Sequence, residues 1–339
     1  MNWLRMFAVA GLISFGIYIV SSHPDFKAYF HSEPVVETIR VASSTIPMSA
    51  PLIIAKRLGY FEKEGVNVSM LGSAYGRLSM DKMFIGEADL ALVGETPLIL
   101  NALENQEFQI LASIFISDQG MGMLVNDKSS IEKPTDLVNK RIGIVSRTSS
   151  EYFTHLFFLF YNIQPAEVEL VPMQPEEMSE ALSKNKVDAV VIWEPYLTRL
   201  ANEAIGPEKR KIFYGEGIHV WRWNIVGNTD FVVLKHEVIK KFLIAIRKAI
   251  IFIQQNQNEA ITIMSKEMNM APSDIEKFWN AMQFRLALDQ SLLTALETQS
   301  RWYLTVISPD PKQDVPNFLQ YINSTPLKSV SPDTVTIIE

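Results

Sequence analysis

The alternation of short apolar segments with longer amphipathic segments occurs twice along the chain, about a hundred residues apart. The first series covers 39–95 and the second covers 141–194. Each contains, in order, a strand, a Ser/Thr segment, a helix, a second strand, a second helix and a long apolar strand that ends beside a glutamate. These glutamates are Glu95 and Glu194. Strands that alternate with long helices are typical of parallel sheets joined by right-handed crossovers.

The repeat predicts an α/β protein of two lobes, each a mainly parallel sheet flanked by helices. Ligands of such sheets bind beyond the carboxyl ends of the strands, and both series place a Ser/Thr segment and a glutamate there. Two similar lobes with polar groups at matching edges indicate a cleft that closes on a small molecule.

The domain organisation follows from the repeat and from composition. Helices are expected at 239–253, 272–285 and 290–304, where apolar residues recur at helical spacing. In chain order we predict a signal peptide or N-terminal membrane anchor (1–22), a tether (23–37), the N-terminal part of lobe I (38–122), lobe II (123–225), the C-terminal helical part of lobe I (226–322) and a tail (323–339).

The N-terminus carries one cation followed by an uncharged segment. Arg5 precedes fifteen residues without a charge, Met6 to Val20. Counted from Trp3, a helix here is roughly 27 Å long, marginal for a hydrocarbon core of about 30 Å. Both a cleaved signal and a short inner-membrane anchor fit, and in both the remainder faces the periplasm. A buried core helix is the third interpretation.

Composition excludes several functional classes. The chain has 339 residues, 47% hydrophobic, with a net charge of −7 and no basic patch, so nucleic acid is not an expected partner. It has no cysteine, which excludes disulfides and a thiol nucleophile. The five histidines are scattered, no dinucleotide or phosphate loop occurs, and neither a cofactor nor a metal is expected.

The Ser/Thr segments are the first candidate site. A hydroxyl-rich loop that opens a helix offers free amide and hydroxyl donors at the positive end of the helix dipole, where an anion binds well. Simple helix capping is the alternative for any single residue. The segments are Ser43 to Thr45 in the first series and Thr148, Ser149 and Ser150 in the second.

Two glutamates and several aromatic residues are the second candidate set. Glu95 and Glu194 could each accept an amine or amidine, could pair with an arginine, or, for Glu194, could favour a helix start. Flat rings stack on planar ligands and attract cations, with core packing as the alternative. The rings near the expected rim are Tyr75, Trp193, Trp221 and Trp223.

Several segments together resemble the nitrate, aliphatic sulfonate and taurine binding proteins of ABC importers, and their relatives that bind pyrimidine precursors of thiamine. The similarity covers roughly Thr38 to Leu304. It is carried by Pro51-Leu-Ile-Ile-Ala-Lys-Arg-Leu-Gly59-Tyr-Phe61 through Val68, Gly86-Glu-Ala-Asp89, Gly94-Glu-Thr-Pro97, Asp136-Leu137 with Lys140-Arg-Ile-Gly143, Ser149-Ser150, and Val187-Asp188-Ala189 with Trp193-Glu-Pro-Tyr196.

The resemblance implies a type II periplasmic binding fold, with lobe II inserted into lobe I. It implies a solute-binding protein that acts as a monomer and delivers a small polar ligand (a sulfonate, a taurine-like zwitterion, nitrate or a thiamine-type pyrimidine) to an importer permease. Carried over to this chain, the ligand-binding residues are Ser44, Thr45, Pro47, Ser73, Tyr75, Glu95, Thr96, Thr148, Ser149, Ser150, Trp193 and Glu194, to which the rim argument adds Trp221.

The alternatives to this function are a sensor, an enzyme and a pyrimidine synthase. A membrane-tethered sensor whose ligand controls a partner protein has the same sequence features. An enzyme would use Glu95 or Glu194 as a general base, and no pattern indicates turnover. A pyrimidine synthase related to these binding proteins would need a Cys-rich motif that this chain lacks.

Overall fold

Two β-sheets organise the described part of the chain. The computed structural model describes residues 36–206, 209, 211–309 and 311–338. The first sheet has the strand order β11-β4-β10-β3-β1-β2 and the second β7-β6-β8-β5-β9. The strands are β1 (Glu37–Ser43), β2 (Val66–Gly72), β3 (Leu90–Val93), β4 (Gln109–Ser117), β5 (Met121–Val125), β6 (Arg141–Ile144), β7 (Glu169–Pro172), β8 (Ala189–Trp193), β9 (Lys211–Tyr214), β10 (Trp221–Gly227) and β11 (Gln283–Ala287).

Helices connect these strands and cover the sheets. They are α1 (Ala50–Arg57), α2 (Tyr60–Lys63), α3 (Gly76–Phe84), α4 (Glu95–Leu103), α5 (Ser149–Phe160), α6 (Met178–Ser183), α7 (Tyr196–Leu200), α8 (Thr229–Leu234), α9 (His236–Gln255), α10 (Gln257–Met268), α11 (Pro272–Trp279), α12 (Gln290–Trp302) and α13 (Thr325–Val330). The predicted two-lobed α/β fold is confirmed.

The sheets are mixed, whereas the sequence pattern predicted mainly parallel ones. Strand β1 pairs parallel with β3, and β6 pairs parallel with β7 and β8. Strands β4, β5 and β10 pair antiparallel with their neighbours. The chain leaves the first sheet along β4, enters the second along β5 and returns along β10.

The sequence repeat is also a structural repeat. In the first sheet the amide of Arg40 donates to Asp89 Oδ2 at 2.8 Å, and the guanidinium binds the same carboxylate. In the second sheet the amide of Arg141 donates to Asp188 Oδ2 at 2.9 Å, with a matching guanidinium contact. Each pair joins an arginine of one parallel strand to the aspartate immediately before the neighbouring strand. Gly94, which follows β3, and Thr148, which lies beyond the end of β6, line one cavity between the two sheets.

The core of the first lobe is closed by the long helix α9. Its buried positions include Ile239, Phe242, Ile246 and Ile253, the helical spacing read from the sequence. The ring of Phe242 stacks on Phe61 with centroids 5.1 Å apart. Each fully buried side chain of this kind contributes about 1.5–3 kcal/mol.

The C-terminal third departs from the expected helices. The helix predicted at 272–285 ends at Trp279, and β11 follows, because Phe284 and Leu286 alternate with more exposed neighbours and bury one face against β4. The 323–339 tail contains α13, whose Leu327 is fully buried.

Some predictions are not tested. The signal peptide or anchor (1–22) and nearly all of the tether (23–37) lie outside the described residues. The exact lobe boundaries stay predictions. No helix in the described ranges is both long enough and apolar enough to cross a membrane.

Candidate interlobe ligand site

A small cavity, about 20 Å³ in volume, lies where the two sheets face each other. This is space for about one water molecule, so a larger ligand would require the lobes to move apart. The first lobe contributes Tyr75, Gly76, Arg77, Gly94, Pro97, Trp221 and Trp223, and the second contributes Thr148, Ser149 and Trp193.

Three helices begin at the cavity wall. Helix α3 begins at Gly76, α4 follows Gly94, and α5 begins at Ser149 after the N-cap Thr148. The side chain of Thr148 accepts from the amide of Ser150, whereas the N-caps of α3 and α4 make no side-chain capping hydrogen bond. Helix N-termini carry partial positive charge and unpaired amide donors. Their convergence makes the cavity favourable for an anion.

Side chains add donors that lack acceptors. The indole nitrogens of Trp193 and Trp221 and the Nε of Arg77 are buried without a hydrogen-bond partner among the described residues. Leaving a buried donor unpaired costs about 1–3 kcal/mol. A bound molecule rich in acceptor oxygens would satisfy these donors.

Arg77 supplies the positive charge of the cavity lining. Its Nη2 donates to Tyr75 Oη at 3.0 Å, and the guanidinium lies 5.6 Å from the centre of the Tyr75 ring. No carboxylate in the described part of the chain forms an ion pair with it. The charge is therefore held in place by an aromatic ring and left available to a ligand.

Four aromatic rings form the apolar wall. The centroid of Trp193 lies 6.1 Å from that of Tyr75 and 6.5 Å from that of Trp221, and Trp221 lies 5.9 Å from Trp223. The contacts of Trp193 with Tyr75 and with Trp221 join the two lobes. All four rings are at most 4% exposed.

Glycines allow this close approach. A Cβ on Gly76 would lie 2.6 Å from Cη2 of Trp223, and a Cβ on Gly94 would lie 2.9 Å from Nε1 of Trp221 and 3.2 Å from Oγ of Ser149. Since Ser149 belongs to the opposite lobe, Gly94 sets how near the lobes come at this point.

Five residues predicted from sequence to bind ligand line the cavity, namely Tyr75, Thr148, Ser149, Trp193 and Trp221. Ser150 lies behind Ser149 and bonds within the second lobe, donating to the carbonyl of Val191 at 2.7 Å. Thr96 is buried beside the cavity, where its hydroxyl donates to Gln299 at 3.0 Å.

The first Ser/Thr segment is not part of the cavity lining. Thr45 is exposed, and Pro47 is buried at the start of a short 3-10 helix. The hydroxyls of Ser44 and Ser73 are buried without partners among the described residues. Ser73, in the loop that follows β2, is joined to the end of β1, because its amide donates to the carbonyl of Ser43 at 3.1 Å.

Both predicted glutamates are fully buried and bound to the protein. Glu95 accepts from the amide of Arg222 at 3.0 and 3.2 Å and lies 3.5 Å from Nη1 of that arginine. Glu194 accepts from the amide and hydroxyl of Thr198 at 3.0 and 3.1 Å, which caps α7. Neither glutamate belongs to the cavity lining.

Burial raises the pKa of Glu95 to about 7, against the lowering effect of Arg222. Burial and the charge of Glu95 raise the pKa of Tyr152 to about 12. Burial and the charge of Arg222 lower the pKa of His219 to about 3. The ring of Tyr152 contacts His219 at 5.3 Å, so these groups form one buried polar cluster behind the cavity.

The sequence patterns did not indicate Arg77, Gly76, Gly94 and Pro97 as site residues, and Trp223 was named as a ring near the rim but not among the ligand-binding residues. A signal for Arg77 existed, since it follows Tyr75 at the start of a helix that begins at a strand end. The glycines carry no such signal, because their role depends on which rings the other strands bring against them.

Contacts across the cleft hold the lobes together around the cavity. Tyr75 Oη donates to Gln174 at 3.0 Å, and Arg147 donates to Glu104 at 2.6 Å. On α5 and α12, the rings of Tyr152 and Trp302 lie 4.9 Å apart. The described structure is therefore a closed form.

Within the described residues, no group of three metal-binding side chains is assembled.

The NMT1/THI5 like family model matches residues 46–260, more than half of the chain. The chain belongs to this family. The resemblance stated from the sequence motifs is confirmed.

Relatives and solved structures agree with the fold. The chain is 27% identical over 224 residues to a putative aliphatic sulfonates-binding protein of Bacillus subtilis, covering 64% of this chain and 66% of that protein. It is 24% identical to the taurine-binding periplasmic protein of Escherichia coli, covering 63% and 65%. Both are binding proteins, and the alignments span just under two thirds of their lengths. The alkanesulfonate-binding protein SsuA of Xanthomonas axonopodis, bound to MOPS, superposes with a TM-score of 0.74 at 14% identity, over 85% of this chain and 98% of that one.

Proposed function

We propose that the protein is an extracytoplasmic solute-binding protein that captures a small sulfonate-type anion between its lobes and delivers it to an ABC importer. Closure of the lobes over the ligand is the state that the permease recognises. The protein binds and releases its ligand without chemical turnover, and acts as a monomer in the periplasm, free or anchored through its N-terminal segment. The predicted order of the lobes belongs to this proposal, with the return from lobe II to lobe I placed before β10 (Trp221–Gly227), because β10 pairs with β3 and β4 of the first sheet.

One observation carries the ligand class. The indole donors of Trp193 and Trp221 and the guanidinium of Arg77 surround the cavity without acceptors among the described residues. Three helix N-termini begin at the same wall. A sulfonate presents three acceptor oxygens and a charge that stays ionised at ordinary pH. The MOPS bound by the SsuA relative carries the same head group, which supports the choice.

Calorimetric titration of the purified protein tests the proposal. Short sulfonates, MOPS, nitrate and a thiamine-type pyrimidine are titrated into the wild type and into Arg77→Gln. Hydrogen bonds to charged groups are worth about 1.5–3 kcal/mol, so Arg77→Gln should weaken sulfonate binding by about 10-fold to 100-fold. Arg247→Gln, which removes an exposed positive charge from α9, is the matched control and should leave affinity unchanged.

Two results would contradict the proposal. Binding of the pyrimidine but of no sulfonate would assign the cavity to a different ligand. Equal losses in Arg77→Gln and Arg247→Gln would show that net charge, rather than the cavity guanidinium, governs affinity.

A separate experiment checks the absence of turnover. Sulfonates are incubated with the protein for a long period and followed by NMR, and they should remain unchanged.

A ligand-controlled sensor remains the second candidate for the same site, since an interlobe cavity serves it equally well. The two functions differ in the partner. Co-purification of the closed protein with a permease would support transport, and co-purification with a signalling enzyme would support the sensor.

A further inference from the structure

We infer that the closed interlobe cavity binds a single halide ion, such as chloride, and that a sulfonate ligand has to displace this ion. The site is that of the proposed function, on which the inference rests, and the halide is a competing ligand there. Three properties of the cavity carry the inference: its size, its unpartnered donors and its charge.

The cavity has the size of a single small ion. Its volume is about 20 Å³, which is space for about one water molecule. A halide is one atom of comparable size, whereas a sulfonate head is a sulfur atom with three oxygens and continues into a carbon body. At the described separation of the lobes, the cavity therefore accepts a halide ion, and a sulfonate enters only when the lobes move apart.

The cavity wall presents N–H groups that lack acceptors. The indole nitrogens of Trp193 and Trp221, which come from opposite lobes, are buried without a partner among the described residues. A Cβ on Gly94 would lie 2.9 Å from Nε1 of Trp221 and 3.2 Å from Oγ of Ser149. Gly94 is the N-cap of α4, and Ser149 is the first residue of α5. One indole donor thus lies where two helix N-termini meet, and both termini favour an anion.

The charge of the cavity favours an anion over a water molecule of the same size. Arg77 is the charged residue of the lining, no carboxylate is among the described lining residues, and its Nε is buried without a partner. The carboxylate of Glu95, next in sequence to Gly94, lies 3.5 Å from Nη1 of Arg222 and is offset by that charge. A buried charge without a counter-ion is unfavourable. A halide supplies the counter-ion that the protein does not.

A halide in this cavity makes chloride a competitor of the sulfonate. Because the two anions cannot occupy the closed cavity together, the apparent sulfonate affinity falls by mass action as chloride is added. General screening by salt acts equally for any monovalent anion at the same ionic strength. Gluconate is too large for the cavity, so it provides the reference salt.

Calorimetric titration in two salts tests the inference on the purified full chain. Propane-1-sulfonate is titrated in sodium gluconate and in sodium chloride at the same ionic strength, about 0.15 M, in a buffer that has no sulfonate group. We expect chloride to weaken binding to the wild type by about threefold or more. Chlorine NMR gives a direct measurement, since the protein should broaden the chloride line and added propane-1-sulfonate should narrow it again.

Variants locate the ion. Arg77→Gln and Trp221→Phe each remove a group that holds the halide, and their affinities in the two salts should agree within about twofold. Arg247→Gln, at an exposed position of α9, and Trp279→Phe, in a buried tryptophan of α11 that packs on Phe284, are the matched controls. Both controls should keep the wild-type ratio of affinities. Thermal melting shows that each variant is folded.

Failures of the two proposals are distinguishable. Equal wild-type affinities in the two salts would overturn the halide inference and leave the sulfonate site standing. An undiminished chloride effect in Arg77→Gln would place the ion outside the cavity and overturn it as well. Binding of no sulfonate in either salt would overturn the proposed function. In that case, chloride broadening that Arg77→Gln abolishes would still support the halide site, and no broadening would overturn it too.

Discussion

The carboxylate of Glu95 accepts a bifurcated hydrogen bond, through both oxygens, from the backbone amide of Arg222, 127 positions later in the chain. The guanidinium of the same arginine lies 3.5 Å away, and both side chains are nearly inaccessible to solvent. This pair forms the floor behind the interlobe cavity. Glu95, which the sequence analysis predicted as a ligand contact, is thus bound by Arg222 of the protein itself.

The buried Glu95 makes stability depend on pH in a defined direction. Its pKa is about 7 in the folded protein and about 4.5 when exposed, so its contribution is fully present below about 4.5 and is lost as pH rises to about 7. Relative to Glu95→Gln, the wild type should therefore lose on the order of 3 kcal/mol of unfolding free energy between pH 4.5 and 7. Urea denaturation at a series of pH values measures this difference.

The comparison with the variant is needed because other groups titrate nearby. His219, whose pKa is lowered to about 3, acts with the opposite sign, since its contribution is lost as pH falls below about 6.5. Burial raises the pKa of Asp289, but a hydrogen bond from Ser291 and the charges of Arg285 and Arg222 outweigh burial, so the net pKa is lowered. The contribution of Asp289 to stability is therefore also lost in acid. A pH-independent difference between wild type and Glu95→Gln would contradict the raised pKa.

The indole donors can be removed without changing ring packing greatly. Trp221→Phe deletes one unpaired N–H at the cavity, and we expect sulfonate affinity to fall by about 10-fold or more, as for loss of a hydrogen bond to a charged group. Trp279→Phe is the control, because Trp279 is a buried tryptophan of α11 that packs on Phe284 and is not among the cavity lining. Calorimetry should show little change for the control, and a loss of equal size in both would argue against direct contact.

Closure depends on the absence of a side chain at Gly94. Its backbone, with φ −75° and ψ 178°, suits any residue, so Gly94→Ala acts through space alone. The new methyl would meet Trp221 and Ser149, and we expect weaker ligand binding with a more open form in small-angle scattering. Gly72→Ala, which adds a methyl to open space, is the control. Unchanged affinity and scattering in Gly94→Ala would show that the lobes do not approach closely here.

Glu194 should matter for stability rather than for the ligand. Because its two oxygens accept from Thr198, Glu194→Gln loses one acceptor and should lower unfolding free energy by about 1 kcal/mol or more. Sulfonate affinity should stay within threefold of wild type. Glu276→Gln, at an exposed position of α11, provides the control for charge removal. A large affinity change in Glu194→Gln alone would place this carboxylate at the ligand after all.

The sequence by itself determined the repeat, the α/β class and the region of the site. These follow from local periodicity, because apolar strands alternate with amphipathic helices twice along the chain. The second Ser/Thr segment was also correctly placed at a strand end that opens a helix, because capping is a local property.

Tertiary structure alone decided which of those polar groups face the cavity. Glu95 is satisfied by Arg222, whereas Arg77 has a tyrosine ring beside it and no carboxylate among the described residues. The pairing of Glu95 with Arg222 joins positions 127 residues apart, and the strand order β4-β10-β3 that brings them together is a property of the folded sheet. Local patterns carry no information about the partner of a buried charge. The position of Arg77 at the cavity and the close contacts of Gly76 and Gly94 with the indole rings are therefore visible only in the folded structure.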